Sequence, residues 1–133
     1  MKNRATILAR WLAWGAGAMD FGTGVALVSA PAWTLARMGV AAPGAEAWVF
    51  VRFVGAFVGA VGAIYLWAAQ RPGERLRVVL GATMWLRGAA GAFVFGAVVA
   101  GALARGWWSV TATDGGLVLA QAWLLAKGAG RDD

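Results

Sequence analysis

The chain has 133 residues, one domain's worth; 61% are hydrophobic and 14% charged, against about 45–50% and about 25% in an ordinary soluble domain. A soluble fold of this size has too little interior for so much apolar surface, so the composition points to the bilayer as solvent. With neither cysteine nor histidine, the chain is expected to lack disulfides, thiolate chemistry, a Ser–His–Asp triad and the commonest zinc and haem ligands; no metal site, catalytic residue or cofactor is expected.

A membrane-spanning helix needs about 20 mostly apolar residues. The first such stretch is 5–30, interrupted only by Asp20 in "DFGTG". Val28-Ser29-Ala30 has the small residues of a signal-peptide cleavage site. The stretch is too long for a signal peptide, however, carries an acid, and would place Pro31 after the cut, so it is read as a retained span. Pro31 opens "PAWTLARMG", expected to form a short helix on the outer membrane surface, with Trp33, Leu35 and Met38 among polar neighbours. After Ala42-Pro43-Gly44 comes a second span, 46–69, whose Gly55-x3-Gly59-x2-Gly62 edge suits close helix packing. Arg71-Pro72-Gly73 separates it from a third span, 74–103, which carries Trp85 and Arg87. A break around Arg105-Gly106 leads to a fourth, 110–127, with Asp114 and, seven residues on, Gln121 on the same face. The expected fold is all-α: a single-domain integral membrane four-helix bundle with a short interfacial helix in the first outer loop.

The flanks set an orientation. With the N-terminus inside, Lys2, Arg4, Arg10, Arg71, Arg75, Arg77, Lys127 and Arg131 fall on one side, and only Arg37 and Arg105 on the other. The positive-inside rule then puts both termini in the cytoplasm. This asymmetry also accounts for the net charge of +6 without a nucleic-acid partner. Trp11, Trp14, Trp67 and Trp123 fall at inner helix ends and Trp33, Trp48, Trp107 and Trp108 at outer ends, as two interfacial belts would. Tyr65, near the inner boundary, reads as a further interface anchor, and Trp85 alone lies well inside a span, where it is expected either to pack between helices or to line a cavity and stack on a ligand.

The rise of 1.5 Å per residue puts Asp20 roughly 22 Å, Arg52 roughly 25 Å, Arg87 roughly 20 Å and Asp114 roughly 20 Å from the inner ends of their spans. Each helix thus brings one charge to a similar level, two acids and two bases. A charge in mid-membrane costs about 2.5–3.5 kcal/mol on insertion scales, a cost best met if the four point inward and satisfy one another. The candidate ligand-binding residues are Asp20, Arg52, Arg87, Asp114, Trp85 and Gln121. A buried network that only holds the helices in register is the competing interpretation.

The opening "DFGTGVALVSAPAWTLARMGV" and the following "VRFVGAFVGAVGAIYLWA" place a glycine-bearing first span, a proline-led surface helix ending in glycine, and a second span opening Arg-x-x-Gly in one order. This pattern, over residues 14–69, resembles the DoxX-like group of small four-helix bacterial membrane proteins. The resemblance implies a bundle in the inner membrane, among relatives that include accessory subunits of quinone-linked oxidoreductases.

The expected function is that of an inner-membrane binding or accessory protein. Its charge cluster would hold a small anionic or amphiphilic ligand such as a lipid or quinone headgroup, in a homo-oligomer or beside a partner membrane subunit. The alternative is a small oligomeric transporter or channel subunit with the cluster on the substrate path. A chain without histidine or cysteine is least suited to intramembrane catalysis.

Overall fold

The computed structural model describes residues 3–131, and among them the chain is all-helical, with no strand. The helices are α1 (Arg4–Ser29), α2 (Pro31–Arg37), α3 (Trp48–Gln70), α4 (Glu74–Val99) and α5 (Trp108–Ala126). Single 3-10 turns at Ala45–Ala47 and Arg105–Trp107 lead into α3 and α5.

Local chemistry sets the ends of these helices. Asn3 caps α1, its side-chain oxygen accepting from the Ala5 N–H at 3.1 Å. Pro31 restricts the residue before it, so Ala30 leaves the helical region and α1 stops; Pro31 then opens the short helix that the sequence predicts. The third long helix ends at Val99, short of the expected 103. Gly101 takes φ +74, and the Ala102 N–H returns to the Ala97 carbonyl at 2.8 Å, a left-handed glycine cap. The run from Val99 to Leu103 is uniformly apolar and small, so hydropathy alone carries the helix too far.

The closest packing is α1 against α3, along a seam of glycines. A methyl group on Gly55 would stand 2.6 Å from Leu27 Cβ, and one on Gly62 or Gly24 would strike the partner helix's backbone. Without side chains between them the two backbones make dispersion contact directly. The second pair, α4 and α5, packs less tightly, and the pairs join through α3 with α4 and α1 with α5.

Arg10 Nε donates to the Ala69 carbonyl at 3.0 Å, Asn3 Nδ2 to the Lys127 carbonyl at 3.2 Å, and the Gly130 N–H to Thr6 Oγ1 at 3.0 Å. Both described chain ends and the α3–α4 turn are therefore tied at one end of the bundle, here the terminal end. Beside it lies an apolar core in which Ala5, Ala9, Ala13 and Ala16 of α1 meet Ala68, Ala69, Leu76, Leu80 and Leu124. At the far end Gly106 sits against the Met38 and Gly39 carbonyls, too close for any side chain.

Further along the bundle the usual distribution of side chains is inverted. Asp20, Arg87, Asp114, Gln121 and Thr83 are buried, while Phe50, Phe53, Phe57, Phe93 and Leu119 are more than half exposed. Two helical stretches, Ala45–Gln70 and Glu74–Val99, are long and apolar enough to cross a membrane, and most of each is exposed.

Candidate functional site

Four helices contribute to one polar layer, centred on Arg87 of α4. Its Nη1 donates to Asp114 Oδ1 of α5 at 2.6 Å, and its Nη2 pairs with Asp20 Oδ2 of α1. Its Nε donates to the hydroxyl of Tyr65 on α3 at 3.1 Å. The planar guanidinium suits this task, since its fork directs donors to separate acceptors in one plane. Gly91, one turn beyond Arg87, clears the approach of α5: a methyl there would stand 3.3 Å from Asp114 Cβ.

The network continues toward the terminal end. Gln121 Nε2 donates to the Tyr65 hydroxyl and, at 3.0 Å, to Thr83 Oγ1. Thr83 in turn donates to the Val79 carbonyl at 2.6 Å, within its own helix. Among the described residues Gln121 Oε1 is buried without a hydrogen-bond partner, as is Thr111 Oγ1, which lies on the far-end side of Asp114 and outside this network. Arg87 thus uses three of its five N–H groups on protein acceptors, leaving one on each Nη.

Asp20, Arg87, Asp114 and Gln121 come together as the sequence predicts. Arg52 and Trp85 do not. Arg52 is exposed, and its Nη1 donates to the Val28 carbonyl at 2.5 Å in the last turn of α1. Side chains on a helix tilt toward its N-terminus. On α1 and α4 that tilt carries Asp20 and Arg87 back toward the terminal end. On the antiparallel α3 it carries Arg52 the opposite way, out of the layer. Trp85 is 77% exposed. Two residues turn a helix through about 200°, which puts Trp85 on the face opposite Arg87. It therefore neither lines a cavity nor packs between helices.

Tyr65 corrects another expectation. It is fully buried and joins Arg87 to Gln121, rather than anchoring an interface. The same tilt explains the difference, because on α3 the tyrosine reaches away from the terminal end toward the arginine. The available signal was its face: Tyr65 follows Gly55 by ten residues and Gly62 by three, on the glycine edge that packs inward.

Without Arg52 the layer is not formally neutral: it holds two acids and one base. Comparison with protein-family models, curated proteins and solved structures finds no match to this chain.

Proposed function

We propose that the chain is an integral membrane protein of the bacterial inner membrane, of the binding or accessory kind and of DoxX-like architecture. Its four long helices span the bilayer with the terminal end in the cytoplasm, and α2 lies on the outer surface. The observation that carries this reading is the inverted bundle, with Arg87 gripped by side chains from three other helices inside a shell of exposed Phe, Trp and Val. In water such a shell would drive aggregation; in lipid it is the expected exterior. The same medium leaves interior polar groups no water, so Arg87, Asp20, Asp114, Tyr65 and Thr83 bond to one another and to Gln121 Nε2 or to backbone.

On this reading the layer braces the α1–α3 pair against the α4–α5 pair and offers a polar feature to an amphiphile. The two remaining Arg87 N–H groups suit an acceptor such as a quinone carbonyl or a lipid headgroup oxygen. A second reading, a small oligomeric transporter or channel subunit, draws on the excess acid and on the Gln121 Oε1 acceptor, unpartnered among the described residues, which favour a cation over an anion.

The test starts with alkaline-washed membranes, in which the chain is expected to remain. Purified in mild detergent and extracted for mass spectrometry, it is expected to yield a quinone or lipid in near-stoichiometric amount. That amount falls in Arg87→Lys, which keeps the charge but loses the fork. Release by alkali overturns the membrane assignment. No retained amphiphile, together with cation-dependent stability or flux in liposomes, favours the second reading.

A further inference from the structure

A cavity of about 180 Å³ lies at the terminal end, well away from the polar layer, lined by Thr6, Ile7, Arg10, Trp11, Trp14 and Pro72. We infer that this cavity binds the phosphate headgroup of an anionic phospholipid from the cytoplasmic leaflet; the inference rests on the transmembrane reading above.

The argument begins with Arg10. Its Nε is held by the Ala69 carbonyl at 3.0 Å, which fixes the guanidinium where α3 ends. Both Nη groups have no protein partner among the described residues, and no carboxylate stands among the described residues that line the cavity. A guanidinium held by one nitrogen and open at the other two presents a fork matched to two phosphate oxygens. Around it the wall is apolar and open: Ile7 is 46%, Trp11 71% and Trp14 37% exposed. Ile7, Trp11 and Trp14 follow one another at four and three residues on α1, so they form one face that runs from the cavity along the helix.

A soluble phosphate would use the arginine and ignore the indoles. A phospholipid uses both, its phosphate on Arg10 and its glycerol and chain roots along Trp11 and Trp14, which lie deeper on α1, at the level where indoles favour a bilayer. Charge selects among lipids. Arg4, Arg71, Arg75, Arg77 and Lys127 lie at the same end, and none makes an ion pair among the described residues. Arg75 repeats the pairing of guanidinium and indole: it stacks 4.3 Å from the Trp67 ring centroid, with Nε and Nη2 buried and unpartnered among the described residues. A choline headgroup would bring a cation into this field, whereas a glycerol headgroup would not. The far end supplies the contrast. Its cavity, lined by Leu27, Ala47, Phe50, Val51, Val54 and Trp107, contains no charged or hydroxyl side chain and has nothing to grip a phosphate.

The experiment titrates delipidated protein with phosphatidylglycerol or phosphatidylcholine and counts bound lipid by native mass spectrometry. Phosphatidylglycerol is expected to bind the wild type more tightly than phosphatidylcholine, and Arg10→Gln to weaken it about fivefold, the effect of one interfacial base. Trp14→Leu, which leaves the Arg10–Ala69 bond intact, is expected to weaken binding of both lipids. Arg37→Gln at the far end should change nothing. Equal binding of the two lipids, an unaffected Arg10→Gln, or displacement of lipid by inorganic phosphate would each overturn the inference, the last by assigning the cavity to free anions. If the chain stays in washed membranes while the lipids bind alike, this site fails and the transmembrane reading stands; release from the membrane fells both.

Discussion

The α1–α3 seam and the Arg87 layer hold the same bundle by opposite means. The seam contains almost no side chain: Gly17, Gly24, Gly55 and Gly62 bring two backbones together, and its specificity lies in shape. The layer is all side chain, and its specificity lies in charge and donor direction. The seam is indifferent to electrostatics and intolerant of a single methyl group. The layer accepts small shifts in volume and is intolerant of a missing partner. One joins neighbours within a pair, and the other joins the two pairs.

The largest expected effect lies in the layer. Arg87→Leu leaves Asp20 and Asp114 buried with no base between them, and loss of one partner from a buried ionic network costs about 3–5 kcal/mol. Thermal unfolding in detergent, followed by far-UV circular dichroism, measures it. Exchanging the charges, Asp20→Arg with Arg87→Asp, is expected to recover only part of the loss. It restores one pair but sets Asp114 beside a second acid. Full recovery would mean that Asp114 is not held by Arg87.

The seam comes next. Gly62→Val places a branched side chain against the backbone of Phe21, and overpacking of this kind costs about 1–3 kcal/mol. Gly15→Val is the matched control, since a methyl group there meets nothing within 4 Å. If the two variants unfold at the same temperature, α1 and α3 are not in backbone contact. Tyr65→Phe is expected to cost about 1–2 kcal/mol, because it strips Arg87 Nε and Gln121 Nε2 of a shared acceptor while leaving the ring's packing in place. A cost near zero would place the tyrosine hydroxyl outside the network.

What the sequence revealed and what it hid follow one physical division. Helix existence, the breaks at Pro31, Pro43, Pro72 and Gly106, and the glycine edge of α3 are local properties, carried by backbone chemistry and by periodicity. Asp20, Arg87, Asp114 and Gln121 could be named because acids, bases and amides are conspicuous in apolar helices. Depth computed from Cα rise alone treats a side chain as a point. Arginine and tyrosine reach several ångströms from their Cα atoms, and on antiparallel helices they reach opposite ways. That omission placed Arg52 inside the layer and Tyr65 outside it. The Arg10 cavity was illegible for another reason. It joins α1 to the α3–α4 turn across some sixty residues of chain, and only packing brings them together.

The smallest expected effect is also the sharpest test of that division. Arg52 and Arg87 are the same residue type at nearly the same computed height, so a scheme based on depth alone predicts similar losses from both. The structure gives Arg52 one hydrogen bond, to the Val28 carbonyl at the open end of α1, on an exposed side chain. An exposed charged contact contributes less than about 1 kcal/mol. Arg52→Gln is too short to keep the Nη1 contact, but because so little is lost with it the variant should unfold close to the wild-type temperature while Arg87→Gln falls well below it. Equal losses would mean that Arg52 turns inward and that the layer holds two bases for its two acids. The formal charge of the interior, and with it the choice between an acceptor-bearing amphiphile and a cation, would then have to be reassigned.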